Sequence, residues 1–116
     1  GGIYPGYMDM TYFAIVPESL KSRKLKIAVV FIHETLSFEV WLAGVNRQVQ
    51  KEYWKLFEGK DWAEYRVPSP GKGVDSIVEY ELVANPDFSD PDTLIKRLES
   101  GIMRFASDVE SFLPEH

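Results

Sequence analysis

Apolar residues along this chain recur at two different periods, and the places where the period changes divide it into elements. From Tyr7 to Val16, YMDMTYFAIV is rich in aromatic and β-branched residues and reads as a strand stopped by Pro17. ESLKSRK then supplies a polar loop with room for one turn of helix. From Leu25 to His33, LKIAVVFIH is nearly continuous apolar sequence, which suits a central strand covered on both faces. ETLS turns the chain, and Ser37 to Ala43 reads as a third strand. Such short connections predict an antiparallel meander.

Gly44 breaks the alternation, after which Val45, Val49, Tyr53 and Leu56 recur at helical spacing with Trp54 and Phe57 on the flank. The spacing predicts a helix ending near Glu58, with Asn46 as its cap and Gly59 as its stop. GKDWAEYRVPSPGKG, residues 59–73, is a long loop, and loops of that length are either functional or pinned by their own aromatics. Val74 to Val83 alternates as a fourth strand, and ANPDFSDPD turns the chain again. Asp90 should cap the last helix, with Pro91 at its first position and Asp92 favouring the positive end of the dipole. Leu94, Leu98, Ile102, Phe105, Val109 and Phe112 then mark one continuous apolar stripe. Gly101 within it costs about 1 kcal/mol relative to Ala, which points to close packing or a bend.

The order is β-β-β-α-β-α: an α+β fold whose helices pack on a mostly antiparallel four-stranded sheet. At 116 residues a single domain is expected. The chain opens Gly1-Gly2-Ile3 without a Met, which points to native sequence missing upstream and to sheet surface that such a segment would cover.

Composition narrows the chemistry. A net charge of −5 argues against general attraction to nucleic acid or anionic membrane. With no cysteine there is no disulfide, thiolate metal site or Cys nucleophile. The run from Ile27 to Ile32 is far too short to span a bilayer, and no leader-like segment is present, so a cytoplasmic location is the default expectation.

GYMDMTYF, FEVWLAG, NRQVQKEYW and NPDF ahead of a long terminal helix resemble a family of small bacterial and archaeal proteins of unknown function. The resemblance covers nearly the whole chain. It implies a fold, and a helical segment before the first strand, but no activity. A helix followed by β-β-β-α-β also resembles the core order of the PD-(D/E)xK nuclease-like fold. That chemistry needs an Asp, a Glu and a Lys two residues past the Glu. Here Glu39-Val40-Trp41 puts Trp at the Lys position, and LKIAVVFIH offers no Asp, so at most a degenerate relative is implied.

Glu39 and Trp41 share one strand face, while Phe38, Val40 and Leu42 take the other and are assigned to the core beneath the helices. Glu39 beside an aromatic wall, with Asp9 or Lys26 nearby, is a candidate cleft for a polar small ligand; an ion pair on the outer sheet face is the plainer reading and leads. Asn46, Arg47 and Gln50 at the helix start could hold a ligand or bond neighbouring loops. Trp62, Tyr65 and Arg66, with Lys51, Lys60 and Lys72, could stack on bases and pair phosphates; the plainer reading is that the aromatics pin the loop. His33-Glu34 lacks a second His at the zinc spacing, PGKG lacks the phosphate-loop Gly and Ser/Thr, and no Gly-x-Ser-x-Gly elbow occurs. The sequence thus predicts a binding or protein-interaction domain without catalytic residues, metal or cofactor. Its partner would be a small ligand or a protein rather than nucleic acid or membrane, with self-association expected. The alternative is an enzyme, or the relic of one, using Asp9 and Glu39 with Arg47 as anion binder.

Overall fold

The strands expected from the apolar pattern hydrogen-bond in the order in which they occur. A computed structural model describes residues 10–60, 64–71 and 74–114. Its elements are β1 (Met10–Ile15), α1 (Glu18–Lys21), β2 (Leu25–Ile32), β3 (Ser37–Gly44), α2 (Arg47–Glu58), β4 (Ser76–Ala84) and α3 (Pro91–Phe112). The sheet order is β1-β2-β3-β4, antiparallel throughout. Residues Tyr7 to Asp9 of the expected first strand lie outside the described residues.

Because side chains alternate, the sheet has two distinct faces. Leu25 and Ile27 of β2, Val40 and Leu42 of β3 and Ile77 and Val78 of β4 join Phe57, Phe105 and Val109 in the main core under the helices. The other face carries a smaller cluster of Ala28, Val30, Ile32 and Trp41, with Met10 packed against it. β2 is therefore apolar on both sides because both sides are buried. β1 is different: Phe13 is 56% exposed and Ile15 is also exposed, although both point to the helical side of the sheet.

In α2 the Asn46 side chain accepts the Val49 N–H at 2.9 Å, satisfying one of the donors that a helix start leaves open. The helix begins at Arg47, so Val45 falls outside it and is solvent-exposed, and Phe57, expected on the flank, is fully buried. The inward stripe is Val49, Gln50 and Phe57, with Tyr53 and Leu56 half-buried beside it. Gly59 ends the helix with φ of −86°, without the left-handed conformation its glycine would permit. Gly44 is not a breaker of β3; it pairs with Leu25, and a Cβ on it would stand 2.9 Å from the Gln50 nitrogen. Its smallness lets α2 start flush against the strand.

In α3, Asp90 accepts from the Thr93 N–H and Pro91 occupies the first position. Gly101 sits against Leu82, where a Cβ would meet the Leu82 Cδ2 at 2.5 Å. One element was not resolved by periodicity. α1 forms in the expected polar loop because its single apolar residue, Leu20, is fully buried in the main core. β4 begins at Ser76 rather than Val74, since the Val74 carbonyl is taken by side chains of α2 instead of a neighbouring strand. No helix among the described residues is long and apolar enough to cross a membrane.

Candidate functional site

The 64–71 segment is stitched to the body on both sides. Arg66 exchanges both backbone hydrogen bonds with Glu79, making a one-residue extension beside β4. Alternation then sends Tyr65 to the helical side and Arg66 to the other. Tyr65 is buried, meets the rings of Tyr80 and Phe105 edge-on at 5.1 and 5.4 Å, and donates its hydroxyl to the Asp108 carboxylate. Burial, together with the hydrogen bond to Asp108 and that carboxylate's charge, raises the Tyr65 pKa well above the usual phenol value.

Arg66 lies across Glu39 and Glu79, with Nη2 at 3.1 Å from one carboxylate and 2.9 Å from the other. Glu39 is only 7% exposed, and the same oxygen that meets Arg66 accepts the Trp41 indole N–H at 2.8 Å. Glu79 also accepts from the Ser76 hydroxyl. Partial burial works against the Arg66 charge, but the two carboxylates outweigh it and hold the guanidinium pKa above its ordinary value. Glu39 thus faces a cation of its own chain.

At the start of α2, Arg47 and Gln50 do for the 71–76 segment what Arg66 does for the preceding one. Arg47 Nη1 donates to the carbonyls of Val74 at 2.6 Å and Gly71 at 3.2 Å, and Nη2 stands 3.7 Å from Asp75. Buried Gln50 donates to Val74 at 2.8 Å and to Ser76 at 3.3 Å, and accepts from Arg47. The Val74 N–H bonds the Gly71 carbonyl, and the chain enters β4 two residues later.

Between this junction and β1 the non-helical face of the sheet is hollow. A pocket of about 200 Å³ has Ala28, Val30, Trp41 and Ala43 as its floor, Met10 and Tyr12 on one side, and Asn46, Arg47 and Asp75 on the other. Lys26 also lines it. It is half-buried, projects from the same face as Ala28 and Trp41, and forms no ion pair or hydrogen bond among the described residues. Concave, largely apolar and edged by a few charged groups, this is the usual form of a small-molecule site.

The expected site residues therefore divide. Trp41, Asn46, Arg47 and Gln50 all line the pocket, whereas Glu39 does not and is joined instead to Arg66. Tyr65 is turned into the core, so it has no free ring face for a base, and the expected basic-aromatic patch is not assembled among the described residues. Lys60 lies over the Phe112 ring at 5.5 Å. Asp9, Trp62 and Lys72 lie outside the described residues. Glu79, Asp75 and Asp108, partners to the candidate groups, had no signal of their own in the sequence. Lys26 had one, as the lone charge in an otherwise apolar strand. Among the described residues no three His, Asp or Glu side chains gather as metal donors. Trp54 Nε1 is buried without an acceptor among them.

The model of the family "Domain of unknown function (DUF7000)" matches residues 1–113, and the chain belongs to that family. No curated protein matches, and no solved structure matches.

Proposed function

We propose that this DUF7000 member is a binding domain whose site is the pocket on the open sheet face, and that its ligand is small, apolar in body and acidic at one end. The observation that carries this is Lys26. Arg47 and Arg66 each have carboxylate or carbonyl partners within their own chain, but Lys26 stands among Ala28, Trp41 and Ala43 with none among the described residues. A half-buried ammonium on an apolar floor is stabilised by an incoming anion, and the floor itself takes the ligand's apolar part. With Arg47 and Asp75 opposed on the rim, Lys26 leaves the pocket net positive within a chain of net charge −5. The volume suits one ring or a short acyl chain.

The alternative, an enzyme or nuclease-like relic using sheet carboxylates, has less behind it. Glu39 is tied to Trp41 and Arg66 and stands outside the pocket that Arg47 lines.

Titration with benzoate and hexanoate, each beside its primary amide, tests the proposal by chemical shifts of the tryptophan indole N–H groups. The acids should bind at least tenfold tighter than the amides, and Lys26→Met should remove that difference while leaving amide binding unchanged. Equal affinity for acid and amide in the native protein, or a preference for the acids that survives Lys26→Met, would overturn it.

A further inference from the structure

The two edges of the sheet are treated differently. At β4, the outer side is engaged by Arg66 through a pair of backbone hydrogen bonds, and Glu79 and Glu81 place negative charge along the strand. A second copy approaching there would meet the Arg66 segment and the exposed Glu81 rather than a free strand edge. Among the described residues β1 has none of these defences. MTYFAI contains no charge and no proline, five of its six residues are exposed, and among the described residues no strand pairs with its outer side. Native sheets ordinarily blunt such an edge with lysine, proline, a bulge or a covering segment.

We infer that β1 is a self-association edge, at which a second copy of this chain adds its own β1 antiparallel to form one continuous sheet across a twofold axis. An antiparallel strand is self-complementary in its backbone, so the same six residues supply both halves of the ladder. Opposed residues must share a face, which restricts the register to those placing a residue opposite itself or opposite one an even number of places away. Phe13, over half exposed at the middle of the strand and on the helical side, then stands at or next to the axis, with Ile15 and Val16 extending the apolar contact. Because the β4 edge is engaged and acidic, the assembly closes at two copies rather than growing. Both pockets lie on the same face of the joined sheet, since an axis perpendicular to the sheet keeps like faces together.

Sedimentation equilibrium from low micromolar to several hundred micromolar chain should show a monomer–dimer equilibrium. Phe13→Lys should weaken it at least tenfold, with the far-ultraviolet circular dichroism unchanged. If that variant unfolds, Phe13→Ser serves in its place. The chain has no cysteine, so a single introduced thiol reports without interference. Phe13→Cys should cross-link to a dimer under mild oxidation far faster than Ile95→Cys, an exposed position on α3. A monomer throughout the range, a dimer indifferent to a folded Phe13 variant, or equal cross-linking at the two positions would overturn the inference.

Discussion

The half of the sheet toward β4 is held at its edge by a further chain segment, whereas the half toward β1 is open at its edge among the described residues. Over β3 and β4 lie α2 and α3; the 64–71 segment flanks β4, with Tyr65 anchored in the helical layer and Arg66 fixed to two carboxylates on the opposite face. β1 has no helical cover for Phe13 and, among the described residues, no strand on its outer side, and the hollow lined by Lys26 opens beside it. On the function proposed above, the contrast separates stability from binding. Charges in the held half, Glu39 and Arg66 above all, are neutralised by the chain's own groups. Lys26, in the other half, has no such partner among the described residues.

Substitutions in the two halves should accordingly fail in different ways. The largest loss is expected for Arg66→Ala, which leaves Glu39 buried without its cation; with the guanidinium itself largely exposed, the cost should be about 2–3 kcal/mol by urea unfolding. Lys26→Met and Phe13→Ser, in the other half, should stay within about 0.5 kcal/mol at low protein concentration while changing binding or self-association. An Arg66→Ala protein as stable as the parent would erase the distinction.

Two glycines sharpen it further. At Gly44 an added methyl group meets backbone, the Gln50 nitrogen, which cannot step aside, and Gly44→Ala should cost about 1–3 kcal/mol. At Gly101 the same methyl meets the tip of a half-buried leucine that can rotate away, and the gain in helix propensity of about 1 kcal/mol offsets the crowding. Gly101→Ala should therefore be close to neutral in the same measurement, and equal losses at both sites would contradict the packing described.

The last difference is a pH dependence. The Tyr65 phenol is shifted up on folding, so the folded state holds that proton more tightly than the unfolded chain, whose value is near 10. Its contribution is complete below pH about 10 and is lost as pH rises through the folded value. Tyr65→Phe should cost about 1 kcal/mol at pH 8, and its deficit relative to the parent should shrink at pH 11. A deficit that stays constant or widens would contradict the assignment.

What was legible in the sequence was what neighbouring residues decide together. The α3 stripe, the Asp90-Pro91 start, the Asn46 cap and the two faces of β3 all follow from periods of a few residues. The α2 stripe was drawn one turn early, from Val45, because the pattern does not distinguish the residue before a cap from the residue after it; Phe57 consequently slid from core to flank. The short α1 has too few residues for any period to show. The candidate site was the least legible part. Tyr65 finds Asp108 43 positions on, and Arg66 finds Glu39 27 positions back, and neither distance leaves a mark on local composition. The same two residues, read as one basic-aromatic surface patch, are separated by the thickness of the sheet.

That separation has an arithmetic consequence. Because Tyr65 and Arg66 face opposite ways, sliding this pairing by one residue against Glu79 would carry the phenol to the carboxylates and the guanidinium into the apolar layer under the helices. A slip by two would restore the facing but remove both side chains from their partners, so this one pairing admits a single register.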